Sequence, residues 1–269
     1  MRIYTNIMAI NAYRNVNLRY SALMKSMERL SSGLRINRAA DDPAGLAISE
    51  RMRAQIRGLK QASRNAQDAI SMLQVAEGAM NETSAILLRI RELTVQAATG
   101  TNSESDLESI QFEIEQLIEE ISRLAKDTNF NTLHMFASEE GSSYKIQIGA
   151  NAGQHMTISF SNMSAEALGI ADIDVRQDPD GAMELVDQAI ERTASERSRI
   201  GAYQNRLEHT ISNLDQTAIN LQAAESRIRD ADIAEEMMNY TKNLLLLQVA
   251  VAMLAQANLA PMMVLQLLM

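Results

Sequence analysis

The 269-residue sequence is long enough for one or two cores, and its composition restricts their kind: 46% hydrophobic and 4% aromatic residues, 11 Gly, 3 Pro and no Trp. So few turn residues argue against both a β-sandwich and a doubly wound α/β enzyme, and favour long helices. The absence of Cys excludes disulfides, Cys-ligated zinc, iron–sulfur clusters and thiol catalysis, while a net charge of −9 argues against nucleic acid as a partner.

The charge is unevenly spread. Residues 1–60 hold 11 Lys/Arg against 4 Asp/Glu, so a +7 segment is followed by a remainder of −16. That asymmetry fits head-to-tail self-association, and equally a solvated basic helix face. The start, Met1-Arg2-Ile3-Tyr4-Thr5-Asn6, lacks an uninterrupted apolar run and a small-residue cleavage site. It is not read as a secretory signal peptide, so export would take another route.

In chain order, residues 3–34 read as a helix with Tyr20, Leu23, Met27, Leu30 and Leu34 on one stripe, ending at Ser31-Ser32-Gly33. Asp42-Pro43 starts the next helix, with Asp42 as cap and Pro43 at the first helical position. From Ala69 a seam runs in steps of four and three: Ala69, Leu73, Ala76, Met80, Thr83, Leu87, Ile90, Thr94, Ala97. At 1.5 Å per residue that stretch is a rod roughly 40 Å long. Thr99-Gly100-Thr101-Asn102-Ser103 supplies a breaker and cap candidates. The next helix, with seam Leu107, Ile110, Ile114, Leu117, Ile121, Leu124, should therefore fold back antiparallel.

The period then changes to two. Tyr144, Ile146 and Ile148 alternate with polar residues, a Gly149–Gln154 turn follows, and Met156, Ile158 and Phe160 alternate again: one β-hairpin, near 143–160. Alone it would be marginal, so it must lie against helices or a neighbouring subunit. Asp178-Pro179-Asp180-Gly181 reads as the turn that starts the last long helix. Its seam is Ile200, Gln204, Leu207, Ile211, Leu214, Ala218, Leu221, Glu225, Ile228, with two polar members that fix register. The expected class is mainly α: long antiparallel heptad helices forming an elongated coiled-coil rod, with one small β-hairpin.

Residues 243–269 carry no charged side chain and are long enough to span a membrane. A membrane-anchored coiled-coil receptor or adaptor is one reading. Gln248, Gln256, Asn258, Pro261 and Gln266 within the segment, and Lys242 as its lone basic flank, oppose it. The other reading is a helix buried on all sides by protein. A slender monomer with two apolar ends has little to cover them, so burial between subunits, and hence a polymer, is expected.

No catalytic constellation stands out. His134, His155 and His209 have no paired-ligand spacing, and Glu119-Glu120 and Glu235-Glu236 read as solvated helix faces. There is no Gly-rich phosphate loop or nucleophile elbow, and no cofactor is expected. The 17 Met read as core and interface packing.

The run Leu30-Ser31-Ser32-Gly33-Leu34-Arg35-Ile36-Asn37-Arg38-Ala39-Ala40-Asp41-Asp42-Pro43-Ala44-Gly45-Leu46-Ala47-Ile48-Ser49 resembles the N-terminal signature of bacterial flagellin. Arg89–Gln96, Asn129-Phe130-Asn131, Met253–Asn258 and Pro261 match the same family in the same order. The resemblance covers nearly the whole chain and lacks the variable outer region usual in the middle. It implies a filament subunit for motility, exported unfolded to the extracellular flagellar filament without membrane insertion. Residues 1–42 and 228–269 would form inner-core helices lining a channel, and 43–227 the outer core. Leu23, Met27, Leu30, Leu245, Leu246, Val249, Met253 and Leu254 would pack the terminal helices between subunits. Implied partners are the chain itself, an export chaperone, and capping and hook–filament junction proteins.

The resemblance also implies contact with animal Toll-like receptor 5 at Arg89, Leu93 and Glu113, a site shared with the subunit interface. Arg89 and Leu93, four apart on a helix, are expected to share an exposed face, with Leu93 as apolar anchor and Leu87 and Ile90 pointing inward. One departure is that Leu244, Val249, Val251, Leu259, Met262, Met263 and Met269 stand where the family is commonly polar. A drier and tighter inner tube, or a lining altered by engineering, is the corresponding expectation.

Overall fold

The computed structural model describes residues 5–137 and 141–268, with side chains described as far as Leu259. Met1, Arg2, Ile3, Tyr4 and Met269, and the side chains of Pro261, Met262, Met263 and Gln266, lie outside the described set. The elements are α1 (Ile7–Ser32), α2 (Pro43–Ala97), α3 (Glu104–Asp127), β1 (Asn129–Phe130), β2 (Leu133–His134), β3 (Ser142–Gln147), β4 (His155–Phe160), α4 (Ala165–Leu168), α5 (Pro179–Arg229) and α6 (Ile233–Leu268). They divide into unit 1, residues 1–54 with 219–269, and unit 2, residues 55–218.

Helix starts follow local chemistry. Asp42 and Asp178 each precede a Pro and accept the backbone N–H of the residue three on, Gly45 and Gly181, both at 2.9 Å. Glycine leaves room for the capping carboxylate in the rotamer it adopts: a Cβ on Gly45 would stand 2.4 Å from an Asp42 carboxylate oxygen, and one on Gly181 2.3 Å from an Asp178 oxygen. Ser103 and Asp106 close a reciprocal capping box at the start of α3. α5 is not the last long helix, because α6 follows after three residues, started by Asp232, which accepts from Ala234 and Glu235.

In unit 1, α1 and α6 run antiparallel. Arg29 lies 3.6 Å from Glu236 at one end, and Asn6 donates from Nδ2 to the Ala257 carbonyl at 2.7 Å at the other. That carbonyl is free because its usual donor four residues on is Pro261, which has no N–H. The same Asn6 caps α1 through Oδ1, which accepts from Ala9. Gly33, left-handed at φ 70°, ends α1. The strand-like segments beyond are tied by Arg35 N–H to the Arg229 carbonyl (2.7 Å) and Ala231 N–H to the Gly33 carbonyl (2.9 Å). In the elbow before α2, Asp41 is 2.7 Å from Lys25 Nζ and accepts from the backbone of Arg38 and Asn37.

Unit 2 holds the core. All nine positions of the Ala69–Ala97 seam are buried. Arg89 meets Glu113 across the 98–103 turn, as folding back requires. α5 lies along α2, with Arg91 on Asp187 at 2.5 Å and Gln204 donating to Glu77 at 2.9 Å. Gln204, a polar seam position, thus finds its partner. In unit 1 the other, Glu225, lies 3.9 Å from Arg53. On α3 the buried stripe is wider than the seam: Ile110, Ile114 and Ile121 are covered, and so are Gln111, Ile118 and Ala125. The helix packs on more than one neighbour.

The expected hairpin forms, with Tyr144 opposite Ile158 and with Met156, Ile158 and Phe160 buried. It is held on α2 by Asn65 Nδ2 donating to the Gln147 carbonyl (3.2 Å) and by Gly58, whose lack of a Cβ admits Ala150. A second, minimal hairpin joins β1 to β2 through Asn131 and Thr132, both at positive φ. A threonine there is an uncommon choice, so the sequence carries no hairpin signal. Residues 161–178 are largely irregular yet bury Met163, Ile170, Ile173 and Val175. They are fastened by two buried side chains. Gln111 donates to the Ile173 carbonyl (2.9 Å) and accepts from Val175 N–H (3.1 Å). Glu196 accepts from Ser161 N–H (3.1 Å), Ser161 Oγ (3.0 Å) and Arg199 (2.8 Å).

Two outcomes follow. Lys25 above all, then the Arg38 amide, lowers the Asp41 carboxyl from 3.8 to about 2. The folded-state value is depressed, so its stabilisation is complete above the unfolded value and is lost as pH falls through the folded one. The melting-temperature advantage of the parent over Asp41→Asn should therefore decline between about pH 4 and pH 2. An advantage constant across that range would be contrary to the assignment. For Gln111→Leu, two buried backbone groups lose their partner, and denaturant titration should show a loss of roughly 2–4 kcal/mol.

Candidate assembly surfaces

α1 and α6 cover one stripe of each other and little more. Leu23 is buried, Leu30, Leu246 and Leu254 are half-buried, and Met27, Leu245, Val249 and Met253 are exposed, Val249 at 59% and Met253 at 61%. Tyr20, on the expected α1 stripe, is exposed as well. The cause lies in the sequence: Leu244-Leu245-Leu246-Leu247 takes apolar residues all round the helix, whereas a single antiparallel partner covers one side. Ile7, Met8, Ile10, Tyr13 and Leu18 on α1, and Met237, Met238, Val251 and Leu259 on α6, add to the uncovered surface. A groove of about 690 Å³ runs between the two helices, lined in part by Met8, Arg19, Val249 and Met253. Ile233–Leu259 is long and apolar enough to cross a membrane.

On unit 2 the structure brings Arg89 and Glu113 together and leaves Leu93 apart from them. Arg89 places Nη2 2.9 Å and Nε 3.1 Å from one Glu113 oxygen, with Nη1 3.3 Å from Glu92. The Glu113 hydrogen bonds, then Glu92, raise the Arg89 pKa above its ordinary value. Both side chains are about half exposed. Leu93 is only 3% exposed. It was expected on the open face with Arg89, and the difference is one of helix phase: Leu93 follows Ile90 by three and precedes Ala97 by four, so it belongs to the inward stripe. Leu87 and Ile90 do point inward. The apolar side chains that are open nearby in sequence are Leu88, Val95 and Phe112, the last at 64%. Phe112 falls between Ile110 and Ile114 of the α3 seam, which is the signal that it points outward.

Several of the other polar residues singled out in the sequence have structural partners. His134 Nδ1 lies 3.0 Å from the Lys126 carbonyl. Glu120 pairs with Arg123, and Glu236 with Arg29. The Ser159 hydrogen bond, helped by Arg199, lowers the Tyr203 hydroxyl pKa at the seat of the hairpin. Among the described residues no three His, Cys, Asp or Glu are grouped to hold a metal ion.

Residues 3–140 match the family model described as the bacterial flagellin N-terminal helical region, and residues 183–268 the C-terminal helical region. The chain is 49% identical to the flagellin of Halalkalibacterium halodurans over 272 aligned residues, with 100% of both chains covered. It is 48% identical to the flagellar filament 33 kDa core protein of Treponema phagedenis, again with 100% of both covered. A solved structure assigned as a hook-associated protein of Vibrio parahaemolyticus superposes with a TM-score of 0.60 at 14% identity, covering 71% of this chain and 100% of that one, a likeness of fold.

Proposed function

Because the chain belongs to the bacterial flagellin family, in a short form, and is a structural subunit of the flagellar filament rather than an enzyme, we propose that its terminal and central segments divide the work of assembly. Residues 1–42 and 228–269 pair as inner-core helices around the filament channel, and 43–227 build the surrounding outer core. The observation that carries this reading is the apolar surface of α1 and α6 that the chain does not cover. Leu23, Met27, Leu30, Leu245, Leu246, Val249, Met253 and Leu254 lie along these two helices, and neighbouring subunits would complete their burial at about 25 cal/mol per Å² of apolar area. The apolar α6 then serves protein contact in place of a membrane, and makes the inner tube drier than a polar lining would.

Filaments of this family stand outside the cell. The finer route belongs to the same reading: export of the unfolded chain through the flagellar channel, a chaperone on the apolar C-terminal segment beforehand, and placement by capping and hook–filament junction proteins. Electron microscopy of salt-treated protein without detergent should show long helical filaments. Detergent-dependent aggregates would favour the membrane anchor instead. Deletion of residues 243–269 should abolish polymerisation while α2, α3 and α5 keep their helical circular dichroism. Loss of most of that signal would mean that the ends stabilise the monomer.

We further propose that the Arg89–Glu113 patch is contacted both by the next subunit and by Toll-like receptor 5. Its two charged groups are open and paired, and Leu93 is buried and so is not available as an apolar anchor. Depolymerised protein should activate the receptor and intact filament should do so poorly. Leu93→Ala cuts a buried side chain, which costs about 2–5 kcal/mol of stability, so the cleaner variant is Arg89→Ala/Glu113→Ala. That variant should keep the parent's melting curve while losing activation and assembly together. Parent-level activation by it would remove the site.

A further inference from the structure

The placement of methionine carries an inference that rests on reading α1 and α6 as faces covered by neighbouring subunits. Among the described residues six methionines are widely exposed: Met8, Met24, Met27, Met237, Met238 and Met253, with Met8 reaching 73%. All six lie on α1 or α6. In unit 2 the opposite holds: Met72, Met80, Met135, Met156 and Met163 are buried and Met183 is half-buried. Met52 of unit 1 is also half-buried. Solvent-borne thioethers are open to two-electron oxidation, and buried ones are shielded from it. The chain has no cysteine, so no thiol of its own competes for the oxidant.

We propose that these six methionines form an oxidation-sensitive gate on assembly. In the free subunit a peroxide converts each exposed thioether to the sulfoxide. A sulfur–oxygen bond forms as the peroxide O–O bond breaks; sulfur loses two electrons, and the second peroxide oxygen leaves as water with both protons. The side chain keeps its length but gains a strongly polar S=O group. Burying that group without a donor opposes the packing that the apolar faces otherwise drive. Met8 and Met253 line one groove between α1 and α6, so two sulfoxides there would fall on a single contact surface. Methionine suits such faces because its unbranched chain adapts to irregular partners, and oxidation is the liability that comes with it. The sulfoxide is reducible, so the gate resets. Once a subunit is packed its sulfurs are covered, and only unassembled chains remain subject to the gate.

The test exposes monomer and preformed filament to the same hydrogen peroxide and follows each methionine by peptide mass spectrometry. The six should oxidise in the monomer and at least about tenfold more slowly in the filament, while the five buried methionines of unit 2 react slowly in both. Oxidised monomer, freed of peroxide, should need at least about tenfold more protein to polymerise on seeds, the scale expected when buried apolar contacts are lost. Methionine sulfoxide reductases A and B with dithiothreitol should restore the original threshold. A chain with all six changed to Leu should polymerise equally well before and after peroxide. Equal reactivity of the six in filament and monomer would overturn both the reading of the faces and the gate. Protection in the filament with an unchanged polymerisation threshold for oxidised monomer would overturn the gate alone. So would inhibition that the reductases do not reverse, a result that decides the matter even if the six-Leu chain fails to assemble, or equal inhibition of that chain when it does assemble.

Discussion

One antiparallel contact governs unit 1: α1 packs along α6, and each helix is apolar over more of its circumference than the other can cover. A pair of helices buries one stripe on each member. α6 carries apolar residues in unbroken runs at Leu244–Leu247 and Val249–Leu254, so its outward sides stay open whatever the register. The polar fastenings fix register without adding cover. Asn6 reaches the Ala257 carbonyl freed by Pro261 at one end, and Arg29 approaches Glu236 at the other. The pair is thus aligned at both ends and open on its flanks, where apolar side chains of both helices stay uncovered within the chain.

Unit 2 solves its burial problem internally. The α2 seam alternates small and large residues, Ala69, Leu73, Ala76, Met80, Thr83, Leu87, which lets neighbouring helices approach closely where Ala falls and interdigitate where Leu falls. The two threonines at Thr83 and Thr94 cost little, because each hydroxyl donates to the carbonyl one turn back, Ala79 at 3.0 Å and Ile90 at 2.7 Å. The hairpin then closes the cluster with Met156, Ile158 and Phe160, and the Phe160 ring meets Phe136 edge-on at 5.7 Å.

Period and capping made most of this legible beforehand. Three seams, the helix starts at Asp42, Ser103 and Asp178, and the hairpin near 143–160 follow from spacing and turn chemistry alone. What escaped has no period. Residues 161–178 bury apolar side chains through irregular backbone, and the glutamine and glutamate that hold them, Gln111 and Glu196, look from the sequence like ordinary polar positions on helices. Leu93 was legible in principle, since its spacing from Ile90 and Ala97 already places it inward. A spacing of four from Arg89 fixes a shared side of the helix to within about 40° and leaves open which of two residues at the boundary is covered. Arg89 and Leu93 straddle that boundary, one half exposed and the other buried.

The irregular segment also bears on how the chain is held together at all. Backbone outside helices and sheets leaves N–H and C=O groups unpaired, and once such a segment is buried something must satisfy them. Gln111 does so with both ends of one amide, serving an acceptor and a donor two residues apart as a neighbouring strand would. Glu196 does so with a carboxylate that Arg199 keeps neutralised, and Arg199 in turn reaches the Ser159 carbonyl and hydroxyl on the hairpin. With no cysteine to cross-link the chain, the fastenings are apolar burial and hydrogen bonds, each reversible and each regained on refolding. A filament subunit fastened in this way has no covalent link to remake, and among the described residues most of the large apolar side chains left open lie on α1 and α6.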